Sequence, residues 1–270
     1  MIVILSEDIM GVSTLLNRAT ILENENINGI NIYKVKLENT LPFMIVISGY
    51  GKVNTARAIQ LVDTKYCIDK LIVTGNTASL NATQAPLGTV GISTSALQYD
   101  VDFTALGLAD FALPNQEVNE YPANANLITK AQTAAVVAGE TVLTGLYATA
   151  DQFLASTTEA TTIGTETNAI FADINAADAG QVAYFNEIPY IVVKGVSNYG
   201  GDDAVTEYNA NVYEANANAN EVVYQMLVAL IGIPEETEQN RCQNQCFNRQ
   251  TVTWNRCMHT CQENFNRFWF

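Results

Sequence analysis

The feature that most constrains this chain is a recurrence of short Val/Ile-rich runs, each closed by turn residues and followed by a stretch of helical spacing. Residues 2–5, 43–48, 70–74, 89–92 and 189–193 are short, Val/Ile-rich and bounded by turn residues, which predicts buried strands. Residues 53–61, 176–184 and 221–230 carry apolar positions at helical spacing. Alternation of this kind predicts an α/β sheet protein over residues 1–232. Residues 209–220, where Asn and Ala alternate, read as a polar loop leading into the last helix.

Composition narrows the function classes. Of 270 residues, 48% are apolar and 15% charged, a balance that excludes a disordered chain and permits a large core. The net charge of −15 repels phosphate backbones and argues against nucleic acid as a partner. No apolar run reaches the length of about 18 residues that spans a bilayer, so no membrane partner is expected. The start, Met1-Ile2-Val3-Ile4-Leu5-Ser6-Glu7-Asp8, lacks a basic region and a long apolar stretch and is not recognisable as a signal peptide.

The composition changes after an acidic linker at 233–240, which holds Pro234, Glu235, Glu236 and Glu238. Residues 241–270 contain both tryptophans (Trp254 and Trp269), the single His259 and four of the five cysteines. Arg241, Arg249, Arg256 and Arg267 face only Glu263 there, a net of +3, which leaves −18 on the rest. Cys242 and Cys246, then Cys257 and Cys261, form two C-x3-C pairs whose members share a helix face. A helical hairpin closed by two disulfides, disulfides between molecules, and a four-thiolate zinc site are all open readings. The expectation adopted is disulfide chemistry without metal or cofactor, in an oxidising compartment such as a vacuole. The remaining Cys67 reads as a buried small hydrophobe. The aromatic residues of this tail read equally as a mini-core and as an adhesive patch.

Seven landmarks run through residues 1–232. They are Gly49-Tyr50-Gly51-Lys52-Val53-Asn54, Val73-Thr74-Gly75-Asn76-Thr77-Ala78, Asp100-Val101-Asp102-Phe103-Thr104-Ala105, Leu113-Pro114, Thr149-Ala150-Asp151-Gln152-Phe153-Leu154, Ala172-Asp173-Ile174-Asn175-Ala176 and Val193-Lys194-Gly195-Val196-Ser197-Asn198. Their order and spacing resemble the methylthioadenosine/S-adenosylhomocysteine nucleosidase family. The resemblance implies a three-layer α/β/α domain, nucleoside-phosphorylase-like, with a central twisted mixed sheet and a habit of dimerising, here followed by the cysteine-rich helical hairpin tail.

The same resemblance implies departures at the positions that carry the family's chemistry. The acid that protonates the departing purine corresponds to Asn198, whose amide cannot deliver a proton near neutral pH. The carboxylate that holds the ribose hydroxyls corresponds to Asn175, in Asp173-Ile174-Asn175, and the water-activating Glu corresponds to Val12. The glycine-rich substrate loop reads Gly75-Asn76-Thr77-Ala78-Ser79, and Phe153 stands where the purine stacks but reads as a core aromatic. Catalytic residues are therefore expected to be absent, with Asn76, Thr77, Ala78, Phe153 and Ile174 as a vestigial pocket.

The expected function is a non-catalytic pseudoenzyme that self-assembles into a homodimer and then a filament, lattice or dense crystal through its tail. The fibril protein of wall-less helical bacteria and the statolith-type crystal protein (octin) of zygomycete fungi are the comparable assemblies. The alternatives are a soluble storage protein or an active nucleosidase in which Glu7 or Asp8 replaces the lost base.

Overall fold

The computed structural model describes residues 1–38 and 41–231. The tail hairpin, its linker and the calls on Cys242, Cys246, Cys257, Cys261, Trp254, Trp269 and His259 lie outside the described residues. The chain opens with β1 (Ile2–Ser6), turns through Met10–Val12 into α1 (Ser13–Arg18), and forms a hairpin of β2 (Thr20–Ile27) and β3 (Ile30–Lys36). Then follow β4 (Phe43–Ile47), α2 (Lys52–Tyr66), β5 (Lys70–Ser79), β6 (Val90–Gln98) and β7 (Glu120–Pro122). The rest comprises α3 (Ala125–Ala138), β8 (Val142–Thr149), α4 (Thr157–Thr167), β9 (Phe171–Asp173), α5 (Ala176–Phe185), β10 (Tyr190–Asn198) and α6 (Ala204–Ile231).

The strands form one mixed sheet in the order β10-β6-β8-β9-β5-β1-β4-β3-β2, with β7 beside β6. Because β10 also pairs with β5, the strands β5, β9, β8, β6 and β10 close on themselves as a five-membered ring. Side-chain alternation along each strand sorts residues into two cores. Ile2 and Ile4 of β1 point with Ile72, Ile92, Ile191 and Val193 toward α1, α3 and α6. Val3 and Leu5 point with Leu71, Val73 and Val192 toward α2 and α5. Burial on both sides explains the unbroken apolar runs, and the resulting α/β/α layering is the one expected from the sequence.

Two expectations are corrected. Residues 209–220 belong to α6, a single 28-residue helix, rather than to a loop. Ala is the strongest helix former, and Val212, Ala215, Asn216, Ala219 and Asn220 recur on one buried face. Asn220 Nδ2 donates to the Gly11 and Asn216 carbonyls at 2.7 and 2.5 Å, so a residue that reads as a helix breaker ties α6 to the β1–α1 connection. Gly75–Ser79 is not a loop but the second half of β5, paired with β10 and β9. The β2–β3 hairpin turns on Asn28 and Gly29, with φ of 52° and 88°. The Asn-Gly dipeptide is the local signal for that turn. Cys67 is buried, as expected, and caps α2.

The helix α6 lies tight against the sheet at Gly195. A Cβ there would lie 1.9 Å from the Ala215 carbonyl oxygen, an atom fixed inside a helix. Gly195→Ala is expected to force α6 off β10 and destabilise the fold by about 3 kcal/mol or more, measured by urea denaturation. An unchanged midpoint would show that the helix can move without cost.

Candidate active site

The carboxyl ends of the parallel strands converge on a cavity of about 210 Å³. Ligand sites of open α/β sheets form at such ends, because loops there diverge and leave a crevice. Glu7 enters it from the end of β1, Asn76, Thr77 and Ala78 from β5, and Tyr99 from the end of β6. Gln152, Phe153 and Leu154 follow β8, while Ala172, Asp173 and Ile174 come from β9 and its end. Asn198 ends β10, Tyr208 projects from α6, and Tyr50 lies between β4 and α2. Of the residues singled out from the sequence, Asn76, Thr77, Ala78, Phe153, Ile174, Asp173 and Asn198 line this cavity, while Val12 does not. Val12 packs in the core with Ile4 and Leu15, with no exposed surface.

Behind the cavity wall lies a buried polar network. Lys194, fully buried in the middle of β10, places Nζ 2.8 Å from Asp173 Oδ2 and 3.9 Å from Glu7 Oε2. The same ammonium donates to Asn175 Oδ1 at 2.6 Å, and Asn175 Nδ2 donates to Glu7 Oε2 at 3.2 Å. Asn175, expected only as a lost ribose clamp, therefore bridges cation and carboxylate. Asp173 is held further by the Thr149 hydroxyl at 2.6 Å and the Ala176 amide at 3.1 Å, at the start of α5, where the helix dipole favours an anion. Gly75 has φ of 142°, and a Cβ there would press to within 3.1 Å of the Glu7 carboxylate. Glycine at this position makes room for Glu7.

Burial pushes the Glu7 carboxyl above the usual range. Lys194 and a backbone hydrogen bond pull it down, and Asp173 and Asp8 add to the upward shift. For Lys194, burial lowers its affinity for a proton, but Asp173 and Glu7 outweigh it and hold the ammonium above its ordinary value. Tyr99 is pushed up to about 12 by burial and by Glu159, Asp100 and Asp173. Tyr50 is raised by burial and by its hydrogen bond to Asp8 Oδ2 at 2.5 Å. At the far side, Asn198 Oδ1 accepts the Ser197 hydroxyl at 2.9 Å, so the side chain offers its amide N–H groups to the cavity. Phe153 is half exposed and meets Tyr208 edge-on at 5.6 Å. It is a cavity wall and not the core aromatic expected.

Sequence reasoning assigned no role to Lys194, Tyr50, Tyr99, Gln152 or Tyr208. Lys194 had a signal, a lone cation inside the apolar run Ile191-Val192-Val193 and Gly195-Val196. A lysine there must find an anion in the interior. The tyrosines carry no such mark. Among the described residues no group of His, Cys, Asp and Glu is arranged to hold a metal ion, and no helix is long and apolar enough to cross a membrane.

The family model that matches residues 2–232 is described as the phosphorylase superfamily. The chain belongs to that superfamily. It is 29% identical over 217 residues to the 5'-methylthioadenosine/S-adenosylhomocysteine nucleosidase of Staphylococcus carnosus, covering 80% of this chain and 94% of the relative. The same-named protein of Haemophilus ducreyi is 29% identical over 224 residues, with 83% and 94% covered. In structure, the chain superposes on the Neisseria meningitidis nucleosidase in complex with methylthio-immucillin-A with a TM-score of 0.80, at 23% identity, covering 84% of this chain and 98% of the other.

These findings correct the expectation of a pseudoenzyme and structural, crystal-forming protein. Relatives spanning four-fifths of this chain are named as nucleosidases, an enzyme class. That expectation rested on joint departures at the positions of the acid, the base, the ribose clamp and the substrate loop, and kept Glu7 only as an alternative base. It scored the base as lost at Val12, while the fold places another buried carboxylate, Glu7, on the cavity wall.

Two substitutions probe this network. Lys194→Met leaves Asp173 and Glu7 buried without a cation, and is expected to cost about 3–5 kcal/mol in denaturant titrations. Asp178, in the first turn of α5, is buried with neither carboxylate oxygen hydrogen-bonded among the described residues. Burial raises it to about 8, Lys52 opposes the shift, and Asp173, Asp151 and Asp100 reinforce it. The folded state therefore holds this proton more tightly than the unfolded state, and the associated stability is lost as pH rises from about 4 to about 8. Asp178→Asn is expected to match wild type in melting temperature near pH 4 and exceed it increasingly up to pH 9. The limiting gain is on the order of 5 kcal/mol. A constant difference across that range would place the carboxyl in contact with solvent.

Proposed function

We propose that the chain is a nucleosidase that hydrolyses the N-ribosidic bond of a purine nucleoside in this cavity, with Glu7 as the carboxylate that activates water. The observation that carries the reading is Glu7 itself, an ionisable group buried on the cavity wall and oriented by Asn175 and Lys194. Water bound to Glu7 gives it a proton while attacking the anomeric carbon. Glu7 and Asp173 offset the positive charge that develops on the sugar. The base lies between Phe153 and Asn198, whose amide donates a hydrogen bond to it but no proton. Relatives named for methylthioadenosine and S-adenosylhomocysteine make those two compounds the first substrates to try.

A missing general acid slows cleavage of a neutral purine by about 10²–10⁴-fold. Adenine release from methylthioadenosine, followed by chromatography, is therefore expected to be slow but measurable. Glu7→Gln should abolish it, and Asn198→Asp should raise it at least tenfold. Because Glu7 works as its carboxylate and burial raises its pKa, kcat/KM should climb with pH through a limb lying above the usual carboxylate range. Absence of adenine release by wild type and Asn198→Asp at every pH would defeat the proposal.

A further inference from the structure

The cavity treats its two ends differently, and the difference bears on which nucleosides it suits. At the sugar end stand two carboxylates, Glu7 and Asp173, with Asp8 close by through Tyr50. The cation nearest to them, Lys194, is turned into the wall and bound to Asp173 and Asn175. At the base end, among the described residues, there is no proton donor of useful strength. Asn198 offers only an amide, fixed by Ser197. Tyr99 holds its proton up to about 12, and the Tyr50 hydroxyl is engaged by Asp8. Phe153 and Tyr208 present aromatic rings there, and ring faces attract cations.

We infer that the site is matched to nucleosides whose base already carries a fixed positive charge, of which the N7-alkylated purine nucleosides are the chemical class. The inference rests on the nucleosidase reading and goes beyond it by naming the kind of leaving group. A neutral purine leaves as an anion unless it is protonated, which is the step Asn198 cannot supply. An N7-alkylpurinium ring needs no such help. When the bond from N9 to the anomeric carbon breaks, N9 takes the electron pair and the ring leaves as a neutral base. Water forms the new C–O bond at the anomeric carbon, its proton passes to Glu7, and Glu7 then releases it to solvent. One cationic nucleoside and one water thus give one neutral base, one free ribose and one proton. The carboxylates and aromatic rings favour the cationic substrate at binding, and the same acidic wall disfavours phosphate as a competing nucleophile.

The test compares 7-methylguanosine with guanosine, and 7-methylinosine with inosine, alongside methylthioadenosine. Base release is followed by chromatography for wild type, Glu7→Gln and Asn198→Asp, with uncatalysed hydrolysis of each compound subtracted and used to normalise rates. The expected result is a kcat/KM for each methylated nucleoside at least a hundredfold above its neutral partner. Asn198→Asp should narrow that preference at least tenfold by accelerating the neutral member of each pair. Titration calorimetry on Glu7→Gln, after its fold is checked by circular dichroism, should show tighter binding of 7-methylguanosine than of guanosine. Equal or faster normalised cleavage of the neutral compounds would overturn this inference and leave the nucleosidase reading standing. No release from any compound above the Glu7→Gln background would overturn both. A preference that Asn198→Asp does not narrow would show that the lack of an acid is not its cause, and would overturn the inference as well.

Discussion

A lysine in the middle of a strand that is buried on both faces can be tolerated only if anions reach it, and Lys194 sets that demand at the centre of this molecule. Asp173 meets it from β9, Asn175 from the entry to α5, and Glu7 from the end of β1. These residues are far apart in sequence, so one ammonium holds together three strands and a helix that the topology alone only brings near. In a medium of low dielectric, removal of any member leaves the others uncompensated. The network also fixes the direction in which Glu7 points, which links the interior electrostatics to the chemistry of the cavity.

On the proposed reading, the family chemistry has a redistributed form here. The position that the resemblance gives to the base is a valine serving the core between sheet and α6, and the carboxylate of Glu7, five residues earlier and beside Gly75, lies on the cavity wall. The ribose-clamp position has become an amide that serves the ion network. The position that the resemblance gives to the acid is an amide as well, and there no other side chain among the described residues stands in. Charge has thus shifted toward the sugar end of the cavity. A polar fold of this kind can keep its cavity while changing which half of the bond-breaking step it assists.

How much was legible follows from where each signal resides. The apolar halves of the strands could be read directly, because burial on both faces leaves uninterrupted Val/Ile runs such as Leu71-Ile72-Val73. The reading stopped where those runs met Thr74-Gly75-Asn76-Thr77, Ser93-Thr94-Ser95 and Lys194-Gly195, although β5, β6 and β10 continue through them. In β5 and β10 those polar continuations face the cavity and the ion network, so the polar half of each of these strands resembles a loop by composition. Residues 209–220 misled for a related reason. Asn disfavours a helix on its own, but tertiary partners such as the Gly11 carbonyl reverse the preference. Glu7 could be named from the sequence as one of two alternative carboxylates, whereas its place on the cavity wall, beside Gly75 and in reach of Asn175, required knowing that β1 ends beside β5 and α5.

The closure of β5, β9, β8, β6 and β10 on themselves has a consequence for how the molecule behaves in a crowded solution. A ring has no free rim, so those strands cannot recruit a strand from another chain. Apart from the three-residue β7, the sheet has, among the described residues, one long open margin, at β2. That margin carries Glu23, Asn24, Glu25 and Asn26 in succession, with Lys34 and Lys65 drawing the two glutamates into ion pairs. Charge and amides at an unpaired strand discourage a second copy from adding to it. The arrangement that gathers the reactive groups at one end of the sheet therefore also confines exposure to self-templating to a single, defended border.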